Sequence, residues 1–185
     1  MGIRSPHELN WAPGRTLVKI LAIAIVLTSM VACSQSTDDE AVGRSTTWDE
    51  NKEVVRQFMA IMDSQRFDRF DEVLTSDMVA HLASGDLTRD QADGLVKMFY
   101  AGFPDLRHEV DEVVALEDGR VLLRGTLRGT HGGEFLGMPA SEHPVSFRQM
   151  AIYRIFNGRI VEIWEESDGL GLWQQIGLIP SDLTR

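Results

Sequence analysis

The sequence predicts an α+β domain in which N-terminal helices pack against one face of a curved antiparallel sheet. Three observations carry that prediction. Apolar residues recur at helical spacing as far as Pro104, and beyond it the period changes to the alternation of strands. Asp118-Gly119 and Asn157-Gly158 then stand where tight hairpin turns would join consecutive strands. From Trp48 onward about 138 residues remain, enough for one compact domain.

The first helix is expected over about 48 to 64. Thr47-x-x-Glu50 has the form of a capping box, and Val54, Val55, Phe58, Ile61 and Met62 follow on one face. A short second helix is expected from Phe67 to Leu74, and a helix end near Met78-Val79-Ala80-His81. Thr88-x-x-Gln91 opens a third helix carrying Leu95, Val96, Phe99 and Phe103, stopped by Pro104.

Leu106 to Leu116 reads as the first strand of a hairpin. Its partner, Arg120 to His131, places Val121, Leu123, Leu127 and His131 on one face and Arg124 and Arg128 on the other. Pro144 to Phe156 and Arg159 to Glu166 form a second hairpin around Asn157-Gly158. Residues 170 to 177 are expected to close the domain as a short helix.

Residues 1–32 are organised differently. Arg4, Arg15 and Lys19 face a single acid, Glu8, and an apolar run from Ile20 to Leu27 ends at Met30-Val31-Ala32-Cys33. This is the layout of a signal peptide, with the apolar run short of the roughly 20 residues of a spanning helix. Small residues before the cysteine resemble a bacterial lipobox, which implies lipidation of Cys33, export, and anchoring to the cell envelope by acyl chains. Cleavage elsewhere and an uncleaved anchor helix are the other readings. Residues 33–47 are poor in large apolar side chains and read as a flexible tether, leaving 48–185 as the folded domain.

Composition narrows the function. The chain has 28 acidic and 18 basic side chains and a net charge of −10, and removing the leader's three positive charges and one negative charge takes it to −12. That balance disfavours nucleic acid, and leaves the lipid as the means of membrane attachment. One cysteine allows no internal disulfide.

No phosphate loop, zinc helix or G-x-S-x-G elbow is present. Glu165 ends an apolar row with Val161 and Ile163, whereas Glu162, Trp164 and Glu166 share the opposite face. A carboxylate buried there gains basicity and suits proton transfer, although acids near strand ends are more often solvated. His131, on the face of Leu127, could exchange a proton or cap a loop carbonyl. Phe58, Met98, Phe99, Phe103, Met150 and Trp164 either fill the core or line a pocket for a small apolar molecule. His108 and His143 lie in polar surroundings that suggest surface. No pair of histidines has the i, i+2 or i, i+4 spacing of a metal site, so a metal is disfavoured.

Four segments in order resemble one family. They are Phe103-Pro104-Asp105-Leu106, the stretch from Gly129 to Pro139 with its Gly-Thr-His-Gly-Gly start, Tyr153 to Trp164, and Leu172-Trp173-Gln174-Gln175-Ile176-Gly177. They look like the SnoaL-like polyketide cyclases, or ester cyclases, over about residues 50 to 180. The resemblance implies the cone-shaped nuclear-transport-factor-like fold and an intramolecular aldol condensation without metal or cofactor. It carries the catalytic acid onto Glu165 and a loop histidine onto His131, and points to His81 as a pocket residue. A second family histidine falls on Ala151, so the partner expected there for the enolate oxygen is missing. Other readings are a lipid-anchored, non-catalytic small-molecule-binding protein and an interaction module that forms a homodimer or meets an envelope partner through its open sheet face.

Overall fold

The computed structural model describes residues 36–184, with side chains from 47 to 182. Cys33, the expected signal peptide and the start of the expected tether lie outside the described residues. The chain divides into two units, 1–43 and 44–185, and the fold described here is that of the second.

Helix α1 (Ser36–Asp63) runs through the expected capping box at Thr47 and across most of the expected tether. No proline interrupts it. A 3₁₀ turn (Phe67–Arg69) leads into the one-turn helix α2 (Phe70–Val73). Strand β1 (Leu74–Leu82) follows directly and pairs with β2 (Gly85–Thr88). Neither strand was expected, because the polar run Thr75-Ser76-Asp77 hides the alternation of Met78, Ala80 and Leu82.

Helix α3 (Arg89–Gly102) starts as expected, with the Gln91 side chain accepting the Thr88 N–H at 2.9 Å. Its first residue is nearly buried: the Arg89 guanidinium reaches Asp93, Asp71 and the Thr75 carbonyl at 2.9, 2.8 and 3.1 Å, tying α3 to α2 and β1. Four longer strands complete the sheet: β3 (Arg107–Ala115), β4 (Val121–Thr130), β5 (Pro144–Phe156) and β6 (Arg159–Ser167). Helix α4 (Gly169–Gln175) closes the fold.

The spatial order is β2-β1-β6-β5-β4-β3. Every neighbouring pair is antiparallel except β1 and β6, which run parallel, so the sheet is mixed where an antiparallel one was expected. Asn157 and Gly158 both take positive φ, 49° and 73°, as the two-residue hairpin turn requires. Gly125 sits where β3 bulges between Val110 and Glu112. A Cβ there would stand 2.7 Å from the Glu109 carbonyl oxygen, so only glycine lets the bulge close on β4.

The inner face of the sheet supplies Val121, Leu123, Leu127, Val145, Phe147, Ala151, Tyr153 and Ile163 to the core. Val55, Phe58, Ile61 and Met62 belong to the same cluster from α1, at the expected helical spacing. Between β4 and β5 the chain makes an excursion through Phe135, whose ring lies 5.0 Å from both Phe99 and Phe103.

Candidate functional site

A cavity of about 350 Å³ remains between the inner face and the helices, within the size range of small-molecule sites. Apolar side chains make most of its wall, among them Met62, Leu95, Val96, Phe99 and Leu127. Its polar residues include Tyr100, His108, Gln149 and Glu165, and the exposed Ser84, Glu166 and Trp173 mark its mouth. A second, smaller cavity of about 70 Å³ lies behind it, lined by Phe58, Phe70, Met78 and Ile163. Glu165, Met62, Leu82, Leu95 and Val96 line both, so Glu165 stands where the two compartments meet.

Strand alternation brings Glu165 inward, as expected, and it pairs with Ala151 on β5 and Leu82 on β1. Protein surrounds the carboxyl, while the cavity keeps part of its surface accessible. Burial pushes its pKa above the ordinary carboxylate value; a charged His108 pulls the other way, and Glu166 adds to the rise. Burial and the nearby Glu165 charge likewise raise the Tyr153 phenol.

Across the cavity, His108 contradicts the surface position expected for it: its side chain is only 3% exposed. Its Nδ1 lies 2.6 Å from Asp63 Oδ1, and Asp63 also accepts the His108 backbone N–H at 3.1 Å and the Tyr100 hydroxyl at 3.4 Å. Tyr100 is raised too, first by burial and then by Asp63. Gln149 is nearly buried and, among the described residues, its amide has no hydrogen-bond partner. An unpaired amide in such a place is available to a ligand.

The structure therefore brings Glu165, Phe99 and Phe58 to these two cavities, Phe58 to the smaller one. His131 is fully buried elsewhere, packed 5.3 Å from Phe103 with its Nδ1 accepting the Ser141 N–H at 3.3 Å; His131 and Phe103 line neither cavity. His131 keeps the inward parity of Leu127 but lies past the end of β4, in the cluster of Phe103 and Phe135. Three further expectations are corrected. Met150 is 46% exposed, beside Arg124 and Glu166 on the outer face of the sheet. Trp164 is on that same face, stacked on His81 at 5.0 Å with the Arg120 guanidinium 5.7 Å from its ring. His81 binds Asp86 at 2.8 Å there, away from the cavity. Alternation decides all three, since each stands an odd number of places from an inward neighbour in register.

Sequence reasoning missed Asp63, Tyr100, His108 and Gln149. The signal for His108 was its place two residues after the buried Leu106, and for Gln149 its place between Phe147 and Ala151. Asp63 carried no comparable signal. Among the described residues, no three His, Cys, Asp or Glu side chains converge as metal ligands.

The family profile of the SnoaL-like polyketide cyclases matches residues 52–176. Among solved structures, the chain is similar to AclR, a candidate hydroxylase from Streptomyces galilaeus, with 27% identity and a TM-score of 0.66 over 71% of this chain and 83% of that one. It is also similar to IdmH, a candidate polyketide cyclase from Streptomyces antibioticus, with 28% identity and a TM-score of 0.60 over 68% of this chain and 96% of that one. A SnoaL-like protein from Jannaschia, 23% identical with a TM-score of 0.64 over 71% and 94% of the two chains, shares the fold. No curated protein matches the chain.

Proposed function

This chain belongs to the SnoaL-like polyketide cyclase family, and from that premise we propose that it is a cofactor-free acid/base catalyst acting on a small apolar carbonyl compound in the cavity. The observation that carries the reading is Glu165, a carboxylate surrounded by protein, raised by burial and accessible from an apolar space of ligand size. A desolvated carboxylate is a stronger base than one in water, and apolar walls keep water from competing for the proton.

Glu165 removes a proton from the carbon next to the carbonyl. The C–H electron pair becomes a C=C bond, and the carbonyl π pair moves to oxygen. The Gln149 amide supports the developing charge. The enolate then attacks a second carbonyl of the same molecule, closing a ring, or is reprotonated elsewhere as in an isomerisation.

Deuterium exchange at the α-carbon of 2-tetralone in D₂O, followed by proton NMR, tests the base without knowledge of the natural substrate. We expect Glu165→Gln to lower the protein-dependent rate by about 10² to 10⁴ fold. Exchange at the wild-type rate in that variant overturns the reading.

A second reading is favoured by Ala151, buried beside Glu165 where the family resemblance leads one to expect a histidine. In it the protein binds a small apolar molecule without turning it over. Retention of 2-tetralone binding with no exchange in the wild type supports this version. In either case we propose that Cys33 is lipidated and that the domain is displayed at the cell envelope, which a globomycin-sensitive mass shift tests.

A further inference from the structure

We propose that His108, oriented by Asp63, is the acid that completes the site, donating a hydrogen bond and then a proton to the carbonyl oxygen while Glu165 takes the proton from carbon. This rests on the reading of Glu165 as base and assigns the partner that Ala151 cannot supply.

The argument begins with Asp63. It is the last residue of α1, at the negative end of the helix, where a carboxylate is disfavoured unless donors meet it. Three donors do: the His108 main-chain N–H, the His108 ring and the Tyr100 hydroxyl. A contact of 2.6 Å between a carboxylate and Nδ1 keeps the proton on that nitrogen and presents Nε2 as the working atom. Among the described residues, Nε2 has no hydrogen-bond partner, although the ring is nearly buried and lines the cavity. A ring held this way on one side and open on the other is built to serve a ligand.

Its position fits. In a flat sheet β3 and β6, separated by β4 and β5, would stand roughly 14 Å apart. Curvature brings His108 and Glu165 to one cavity, near enough for the charge on one to act on the other. The polar side chains Tyr100, His108 and Gln149 face the larger compartment, whereas the space behind Glu165 is almost wholly apolar. A ligand is thereby oriented, with its carbonyl oxygen toward His108, its acidic carbon at Glu165 and a short alkyl arm in the 70 Å³ recess. The substrate class is a neutral ketone or ester with such an arm.

The step balances. His108 enters the step as the imidazolium, with Nδ1–H on Asp63 and a second proton on Nε2. The α C–H bond breaks and Glu165 gains the proton; the new C=C pair displaces the carbonyl π pair to oxygen, which takes the Nε2 proton of His108. The products are a neutral enol, a neutral imidazole and a protonated Glu165, with Asp63 remaining a carboxylate. Asp63 is thus a positioning residue, acting through the ring.

Two measurements test this. Titration of the wild-type protein with 2-naphthol, an enol resembling the intermediate from 2-tetralone, is followed by nitrogen-15 NMR of histidine. The expected result is Nδ1–H in the free protein and a shift of His108 Nε2 on binding. A bound naphthol that leaves Nε2 unmoved overturns the proposal without any variant having to fold. In the exchange assay, His108→Gln is expected to lose about 10² fold. Asp63→Asn should slow exchange at least about tenfold, alter the tautomer and displace one limb of the pH profile, with partial recovery in Asp63→Glu. Wild-type exchange in His108→Gln together with none in Glu165→Gln removes His108 and leaves the base in place. Wild-type exchange in Glu165→Gln removes the base itself.

Discussion

Replacing Glu165 by glutamine removes a charge while keeping the shape, so its effect on stability isolates the cost of burying the carboxylate. Because the folded pKa is raised, the folded state holds a proton that the unfolded state releases. Below the unfolded value, about 4.3, both states are neutral and the substitution changes little. As pH rises above it, the wild type loses stability at up to about 1.4 kcal/mol per pH unit, until Glu165 ionises in the folded protein and the loss levels off. The variant escapes that loss, so its advantage grows from about pH 4 and reaches a plateau. Each 1 kcal/mol corresponds to about 3 to 5 °C in melting temperature for a unit of this size. The charges of His108, which opposes the rise, and of Glu166, which adds to it, both act on this carboxyl. The assay is thermal unfolding of both proteins between pH 4 and 8. A difference that does not vary with pH, or a variant less stable than the wild type at pH 7, refutes the claim that the carboxyl is held in a desolvated place.

Three further outcomes are expected. Phe135→Ala empties the space between Phe99 and Phe103 and should cost about 3 to 5 kcal/mol in urea unfolding; a loss below about 1 kcal/mol would mean that the excursion contributes little. Gly133→Ala would bring a Cβ to within 2.1 Å of the Ala101 carbonyl oxygen, so it should destabilise by about 1 to 3 kcal/mol, and wild-type stability counts against the close packing of that loop on α3. His131→Gln should leave 2-tetralone exchange within about threefold of wild type while lowering stability by about 1 to 3 kcal/mol. A large loss of exchange with stability intact would return His131 to the site.

Local signals made much of this fold readable. The Thr88 and Gln91 pair that opens α3, the Asn157-Gly158 hairpin and the inward parity of Glu165 each depend on residues within a few places of one another. What escaped depends on distant ones. Strand β1 takes its identity from pairing with β6, some 80 residues away, which overrides the polar run at its start. Arg107 and Glu109 give His108 a polar setting in the sequence that suggests surface, although in a strand those neighbours belong to the opposite face. Trp164 shows the converse: alternation sets it opposite to Glu165, and only its size suggests a pocket. Asp63 acquires its meaning entirely from a contact 45 positions along the chain.

The parallel pairing of β1 with β6 also has a kinetic side. Every other neighbouring pair in the sheet is consecutive in the chain, the longest connection being the stretch from Thr130 to Pro144, so those ladders can close earlier and more locally. The β1–β6 ladder alone requires the closure of a long loop, and it joins the hairpin near the start of the domain to the last strand of the sheet. The ordering expected is therefore the three-ladder meander β3-β4-β5-β6 first and docking of the β1–β2 hairpin afterwards. Until that docking occurs, β6 is an unprotected edge, and the strand left open to wrong partners is the one that carries Glu165.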